Sequence, residues 1–241
     1  MNNVENVIII GAGCLLANSI AQKLCGSAYV IGVAAKDDDM DSSLYNEKYV
    51  YDPLSKDESD KHLSNLTKGM KNFAVITCTG RFPARQPLSE YPKSKKDSDS
   101  GIFESNVYGF LVPYRSTIEN ARRAERATYI TFGSVSQKYN YPLMGIFTAA
   151  KDALRSMVKT ASHEEAKNGV RFIHLNLSTL KMKKEEKFTS VDAGEFLCCD
   201  KVADNVKHFL SGTDHSPFYS EANIYNYSDA YYEDGYLSRV P

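Results

Sequence analysis

The sequence predicts an α/β fold: a single doubly wound domain, residues 1–241, with a mostly parallel sheet and helices on both faces. Three observations carry this. Residues 7–10 form a short β-branched apolar run that leads into Gly11-Ala12-Gly13 and then into helix-like spacing through Ile20 and Leu24, which is the opening of a nucleotide-binding α/β unit. The same alternation of apolar run and amphipathic stretch repeats along the chain, and near-continuous apolar strands imply a sheet covered on both faces. Finally, 241 residues without an internal repeat or linker suit one domain with a substantial core.

In chain order, strands are expected at 7–10, 29–33, 48–51, 73–77, 128–132 and 170–175. Helical patterns fall at 62–71, 102–124, 147–168 and 200–210. Two stretches, 93–101 (K-S-K-K-D-S-D-S-G) and 181–187 (K-M-K-K-E-E-K), are polar enough to read as loops or solvated helix faces.

Composition excludes several functions. A net charge of -1 and a pI near 6.5 leave no broad basic surface for nucleic acid. The five cysteines (Cys14, Cys25, Cys78, Cys198, Cys199) are odd in number and lie in apolar segments without zinc spacing, so reduced, buried thiols and a cytoplasmic location are expected. No basic leader precedes the first strand and no apolar stretch approaches about 18 residues, so neither secretion nor a membrane span is expected. The five histidines do not have metal-ligand spacing, and there is no P-loop or G-x-S-x-G elbow.

One constellation carries chemistry. Residues 147–151 read F-T-A-A-K, and on a helix Phe147 and Lys151 share a face. Ser134 lies thirteen residues before Phe147, just beyond an expected strand, and Asn106 opens N-V-Y-G in an earlier helical pattern. The set Asn106, Ser134, position 147 and Lys151 resembles the catalytic tetrad of the short-chain dehydrogenase/reductase family, in which a Tyr-x-x-x-Lys pair follows a serine at this distance. Here Phe147 stands in the tyrosine's place.

The resemblance covers essentially the whole chain. Tyr51-Asp52-Pro53 ends the third strand where the family commonly has an Asp beside the adenine. Thr77-Cys78-Thr79-Gly80 takes the place of an Asn-Asn-Ala-Gly turn and keeps its glycine, and Asp234-Gly235-Tyr236 is similar to a closing Gly-Gly segment. The resemblance implies a Rossmann-type fold of about seven strands and a mobile lid at 181–187. It also implies a homodimer or homotetramer, built through the helices led by Ile102 and Phe147 with Val107, Phe110, Leu111, Leu154, Met157 and Val158 as apolar contacts.

In the family the tyrosine exchanges a proton with a carbonyl oxygen while nicotinamide exchanges a hydride with its carbon. The lysine holds ribose, the serine bonds the reacting oxygen, and the asparagine supports a proton path. Phenylalanine has no such proton. Tyr139 and Tyr141, between Ser134 and the helix, are the candidates to replace it, and water or substrate is the other route.

The cofactor loop has drifted as well. Where the family reads G-x-x-x-G-x-G, this chain has Gly11-Ala12-Gly13-Cys14-Leu15-Leu16-Ala17, which sets a branched Leu15 at the second glycine site. After the second strand the usual acidic ribose ligand is absent and Lys36 stands beside the position, which favours NADP over NAD, although Asp37 to Asp39 add negative charge. The connection 36–48 is short, so its helix should be abbreviated. After the sixth strand Asn176-Leu177-Ser178-Thr179 replaces a Pro-Gly turn. Three readings follow, one of them a non-redox enzyme that uses the same pocket. The first is an atypical NAD(P)-dependent oxidoreductase of a small carbonyl or alcohol, with Asn106, Ser134, Lys151 and Tyr139 or Tyr141 as site residues and Gly11, Gly13, Cys14, Leu15, Leu16, Lys36, Asp52, Pro53, Thr79, Gly80 and Lys151 around the cofactor. The alternative is a catalytically impaired descendant that binds a nucleotide or metabolite, or scaffolds a partner. No metal is expected.

Overall fold

Seven strands make one parallel sheet in the order β3-β2-β1-β4-β5-β6-β7. The computed structural model describes residues 4–37, 40–82, 86–91, 99–181, 196–211 and 218–226. The strands are β1 (Asn6–Ile10), β2 (Tyr29–Ala34), β3 (Glu47–Val50), β4 (Asn72–Thr77), β5 (Arg126–Ser134), β6 (Arg171–Leu177) and β7 (Tyr219–Ile224). The order reverses between β1 and β4, so the crevice beyond their carboxyl ends is the topological switch point, where open α/β sheets bind ligands.

Alternate residues of the buried strands feed two cores. Val7, Ile9, Ala74 and Ile76 face α1 (Leu15–Leu24) and α7 (Cys199–Ser211), whose Ile20, Val202 and Val206 complete one core. Ile8, Ile10, Phe73 and Val75 face Leu63 of α2 (Lys56–Thr67), Phe110 and Ile118 of α4 (Gly109–Ala121) and Leu154 and Val158 of α6 (Gly145–Glu164). Period-two burial on both faces is why these strands read as unbroken apolar runs.

Several boundaries differ from expectation. α2 begins at Lys56, not 62, because Ser55 caps it by accepting the Glu58 N–H and because Asp57 and Glu58 suit the positive end of the helix; its first half carries no apolar stripe to betray it. The stretch expected as one helix from 102 is α3 (Asp99–Phe103), a π-helical turn (Glu104–Tyr108) and α4. Asp99 to Gly101, expected in a loop, therefore open a helix; 93–98 lie outside the described residues, as do 182–187 and Asp234 to Tyr236. A short α5 (Ser136–Tyr139) occupies part of the expected loop after β5, so Tyr139 ends a helix and is not a loop residue.

The described residues between β2 and β3 form no α-helix. Tyr45 covers that face of β2 instead, its ring lying against Gly32 so closely that a Cβ there would sit 2.8 Å from Tyr45 Cδ1. Its hydroxyl donates to the Ala12 carbonyl at 2.9 Å. One aromatic side chain thus packs where a crossover helix would, and its bond to Ala12 ties it to the glycine turn. Among the described residues no helix is long and apolar enough to cross a membrane. Of the six apolar positions assigned to an oligomer contact, Val107, Phe110, Leu154 and Val158 are buried within one chain, which accounts for their character without a partner.

Candidate active site

The switch crevice is built by the turn after β1, the segment after β4, the π-helical turn and the end of β5. Gly11 turns the chain at φ 81°, and a Cβ there would meet Thr79 N at 3.0 Å and Cys78 C at 3.1 Å. The Gly11 turn and the Cys78 segment therefore touch backbone to backbone, held also by the Cys78 N–H donating to Ile10 O at 2.8 Å. Gly13 is exposed, Leu16 is buried in the core, and Leu15 heads α1 with 40% exposure, standing out at the mouth of the turn. Cys14 caps α1, its sulfur accepting the Ala17 N–H at 3.4 Å.

Beyond β4, Thr79 packs on Gly109, where any Cβ would overlap its hydroxyl. This explains the glycine of the N-V-Y-G segment. Gly80 makes room for Asn106, since a Cβ there would lie 2.9 Å from Asn106 Oδ1 and 3.5 Å from Lys151 Nζ. Asn106 sits in the π-helical turn, a distortion that re-aims a side chain and often marks functional positions. Its Nδ2 donates to the carbonyls of Arg81 (3.0 Å) and Ile102 (2.9 Å). Its Oδ1 is buried and finds no partner among the described residues.

Lys151, on α6, is 7% exposed, and its ammonium donates to the Phe132 carbonyl at 2.9 Å. Burial pushes its pKa down to about 8. Among the described residues one of its three donors is committed, to that carbonyl, which leaves two for a ligand. Ser134 ends β5; its Oγ accepts from the Ser136 N–H (3.2 Å) and the Ser136 hydroxyl (3.0 Å). Both lone pairs being engaged, the Ser134 hydroxyl hydrogen is the group left to donate.

Gln137 was not singled out in the sequence, yet it braces the pair. Its Oε1 accepts the Ser134 N–H at 2.7 Å and its Nε2 donates to the Lys151 carbonyl at 2.9 Å. The only signal was its position three residues after Ser134, which does not identify a partner seventeen residues from that serine. Behind Ser134, Gly133 is enclosed by Asn176, Gln137 and His174. His174 shares a 2.8 Å hydrogen bond with Thr131, and burial lowers its pKa to about 4. Asn176 donates to Glu221 at 2.8 Å, and Arg155 donates to the same oxygen at 2.8 Å. In place of a Pro-Gly turn, β6 continues to Leu177, whose carbonyl accepts the Val135 N–H at 2.8 Å.

Phe147 closes the site from above. It is 9% exposed and clusters with Val135, Tyr141 and Met144, with Tyr139 packed alongside. The Phe82 ring meets it edge-on at 4.9 Å, and Lys151 Nζ lies 5.6 Å from its centroid. Tyr141 is buried in this cluster and stacked on Tyr139 at 6.0 Å, so both candidate replacements line the wall that holds Phe147.

The outer cofactor residues are less engaged. Lys36 is exposed, and Asp37 is held by Lys48 at 2.6 Å, which neutralises one of the three neighbouring acids; Asp38 and Asp39 lie outside the described residues. The Asp52 carboxylate accepts the Leu54 N–H at 3.0 Å, and Pro53 is buried beside it. A dinucleotide laid across the crevice fits these groups in part: among the described residues Asn106 Oδ1 is an open acceptor and Lys151 has two open donors, while the exposed Leu15 stands at the head of α1.

No curated protein matches the sequence. Among solved structures, ElxO with NADP bound is similar over 98% of this chain and 99% of its own, at 16% identity and a TM-score of 0.78. A tyrosine-to-phenylalanine variant of ElxO with NADPH bound gives 0.79 at 16% identity, over 98% of this chain and 99% of its own. An alcohol dehydrogenase from the archaeon Thermococcus sibiricus complexed with 5-hydroxy-NADP aligns over 91% of this chain and 95% of its own, at 16% identity and 0.78. NAD+-bound xylitol dehydrogenase aligns over 92% and 98%, at 15% identity and 0.78. At these identities the likeness is one of fold. The model of the short chain dehydrogenases matches residues 5–190, well over half of the sequence, with Asn106, Ser134, Phe147 and Lys151 all inside it, and the chain belongs to that family.

Proposed function

We propose that this protein is an NADP-dependent oxidoreductase of a small carbonyl or alcohol that works without the family's tyrosine hydroxyl. The observation that carries the reading is that Lys151 Nζ and Asn106 Oδ1 both lie against Gly80, two buried polar groups with unused bonding capacity among the described residues. Bound nicotinamide supplies or accepts the hydride. Lys151 holds ribose hydroxyls with its two free donors, Ser134 donates its remaining hydrogen to the substrate oxygen, and Asn106 accepts from a water or hydroxyl beside Lys151. The proton that tyrosine would deliver comes from Tyr141 or Tyr139 in the wall above Ser134, or from water, and its misplacement lowers the rate by about 10² to 10⁴.

Lys36, exposed after β2, and the Lys48 bridge on Asp37 favour a 2′-phosphate over a bare ribose. Neighbours of this fold carry either NADP or NAD. The exposed Tyr108 and the half-buried Leu111 and Met157 are the positions left to a second copy of the chain, which we take as its partner.

The second reading, a nucleotide-binding descendant that has lost redox chemistry, is favoured by Phe147 itself, because its packed ring seals the space above Lys151. Calorimetric titration with NADPH and NADH tests the first requirement of both. Micromolar binding, tighter for NADPH, is expected. Absence of heat at millimolar concentrations of either nucleotide sinks the oxidoreductase reading and leaves a dehydrogenase-shaped scaffold.

A further inference from the structure

Cys14 and Cys78 are 64 residues apart in sequence, yet the Cys14 side chain reaches Cys78 across the switch crevice. Cys14 stands at the head of α1 just after the β1 turn, and Cys78 is the first residue past β4. The Cys14 thiol points at the Cys78 carbonyl at 3.9 Å, and both side chains pack against the same core cluster. The backbones that carry them are already locked together by the Cys78 N–H bond to Ile10 O and by the close approach of Gly11 to Cys78 and Thr79. Both residues are half-buried, and neither is joined in a disulfide. None of the proposed redox chemistry uses either sulfur.

We infer that Cys14 and Cys78 form a reversible oxidation site, a dithiol that closes to a disulfide across the nucleotide crevice when it meets a peroxide. Cys14 is the attacking sulfur. Donation from the Cys78 thiol holds its pKa down to about 7, aided by backbone N–H groups at the start of α1 and opposed by burial, while Cys78 is pushed well above the usual thiol value. The Cys14 thiolate attacks one peroxide oxygen and the O–O bond breaks. Hydroxide leaves and takes up the proton that Cys14 shed, giving water and a sulfenic acid. The Cys78 sulfur then displaces hydroxyl from the Cys14 sulfur, and its proton departs in a second water. Two thiols lose two electrons and one peroxide gains them. A dithiol reductant reverses the change.

The consequence for the crevice follows from position. The new bond ties the turn that would cradle a diphosphate to the segment that carries Thr79 and Gly80, and it removes the thiolate that answers the first N–H groups of α1. This second part rests on the nucleotide reading above; formation of the bond does not.

The test treats the purified full chain with about one equivalent of hydrogen peroxide. Intact mass should fall by about 2 Da, a digest should contain the Cys14 and Cys78 peptides joined, and dithiothreitol should restore both. Cys14→Ser and Cys78→Ser, each checked for native circular dichroism, should abolish the crosslink. The oxidised protein should bind NADPH at least about tenfold more weakly than the same sample after reduction. A crosslink to Cys199, Cys198 or Cys25, or oxidation of Cys14 to sulfinic acid with Cys78 untouched, overturns the proposal. If the reduced protein binds no NADPH, the cofactor reading fails by itself, and the mass and peptide results still decide the thiol pair.

Discussion

The floor and the roof of the candidate site have diverged. The floor is polar and fully braced: Lys151 ties α6 to the Phe132 carbonyl, Asn106 satisfies two carbonyls of neighbouring segments, and Gln137 spans Ser134 and Lys151. The roof, Phe147 with Phe82, Val135, Tyr141 and Met144, is apolar. Each floor residue has a structural duty, so its loss would leave buried donors or acceptors unpaired, at about 1 to 3 kcal/mol apiece. The exchange of tyrosine for phenylalanine deletes only a hydroxyl. Persistence of the floor is therefore weak testimony for turnover, and identity of the roof is the more sensitive reporter of chemistry.

The sharpest way to separate the two is to restore the hydroxyl. In Phe147→Tyr, reductase activity on small carbonyls should rise by about 10² to 10⁴, the worth of a positioned acid, with NADPH affinity within about threefold of the parent. Because the hydroxyl enters an apolar wall, stability should fall by about 1 to 2 kcal/mol in urea unfolding. Tighter folding with no activity on any carbonyl tested would mean that the floor serves structure alone.

The underside of the floor gives the next largest effect, and it is set by pH. His174 is buried and its folded pKa is about 4, below the ordinary value of 6.5. As pH falls, the unfolded chain takes up the proton first, so the stability conferred by the neutral ring declines below about 6.5 and is lost by about 4. At about 1.4 kcal/mol per unit, the decline is on the order of 3 kcal/mol. Glu221, held down to about 2 mainly by the Arg155 and Asn176 hydrogen bonds against the opposing cost of burial, adds its own loss only below about 4.5, so the interval from 6.5 to 4.5 isolates the histidine. Urea midpoints measured across that interval should slope in the parent and flatten in His174→Gln; parallel slopes would assign the pH dependence elsewhere.

Asn106→Asp attacks the floor directly. It replaces the amide that donates to Arg81 and Ile102 with an acceptor facing two carbonyls, and a loss of about 2 to 3 kcal/mol is expected in the same unfolding assay, together with loss of nucleotide binding. An unchanged midpoint would show that the π-helical turn holds its shape without this residue.

How much of this was legible in the sequence follows from the range of the interactions. The buried strands were readable because burial on both faces leaves an unbroken apolar run, whereas β7, an edge strand reading Y-S-E-A-N-I with a mostly half-exposed pattern, carries no such mark. The first half of α2 was hidden by its charges and is explained only by the Ser55 cap. Ser134, Lys151 and Asn106 were found by spacing along local elements. Gln137, the Tyr45 cover on Gly32 and the meeting of Cys14 with Cys78 depend on contacts that the chain alone does not announce.

Gln137 gives the smallest effect and the finest distinction. Gln137→Leu keeps the volume but removes both bonds, leaving the Ser134 N–H and the Lys151 carbonyl without that partner. The cost should be about 1 kcal/mol, since the Ser134 end is only half-buried and water replaces part of what is lost. If Gln137 positions the floor for chemistry, the double variant with Phe147→Tyr should lose turnover while keeping NADPH affinity, because Ser134 then drifts and the Lys151 ammonium remains anchored on Phe132. If the brace is only structural, the double variant should unfold more readily yet turn over as fast as Phe147→Tyr alone. That split between rate and stability separates a floor kept for function from one kept because removing it would cost the fold.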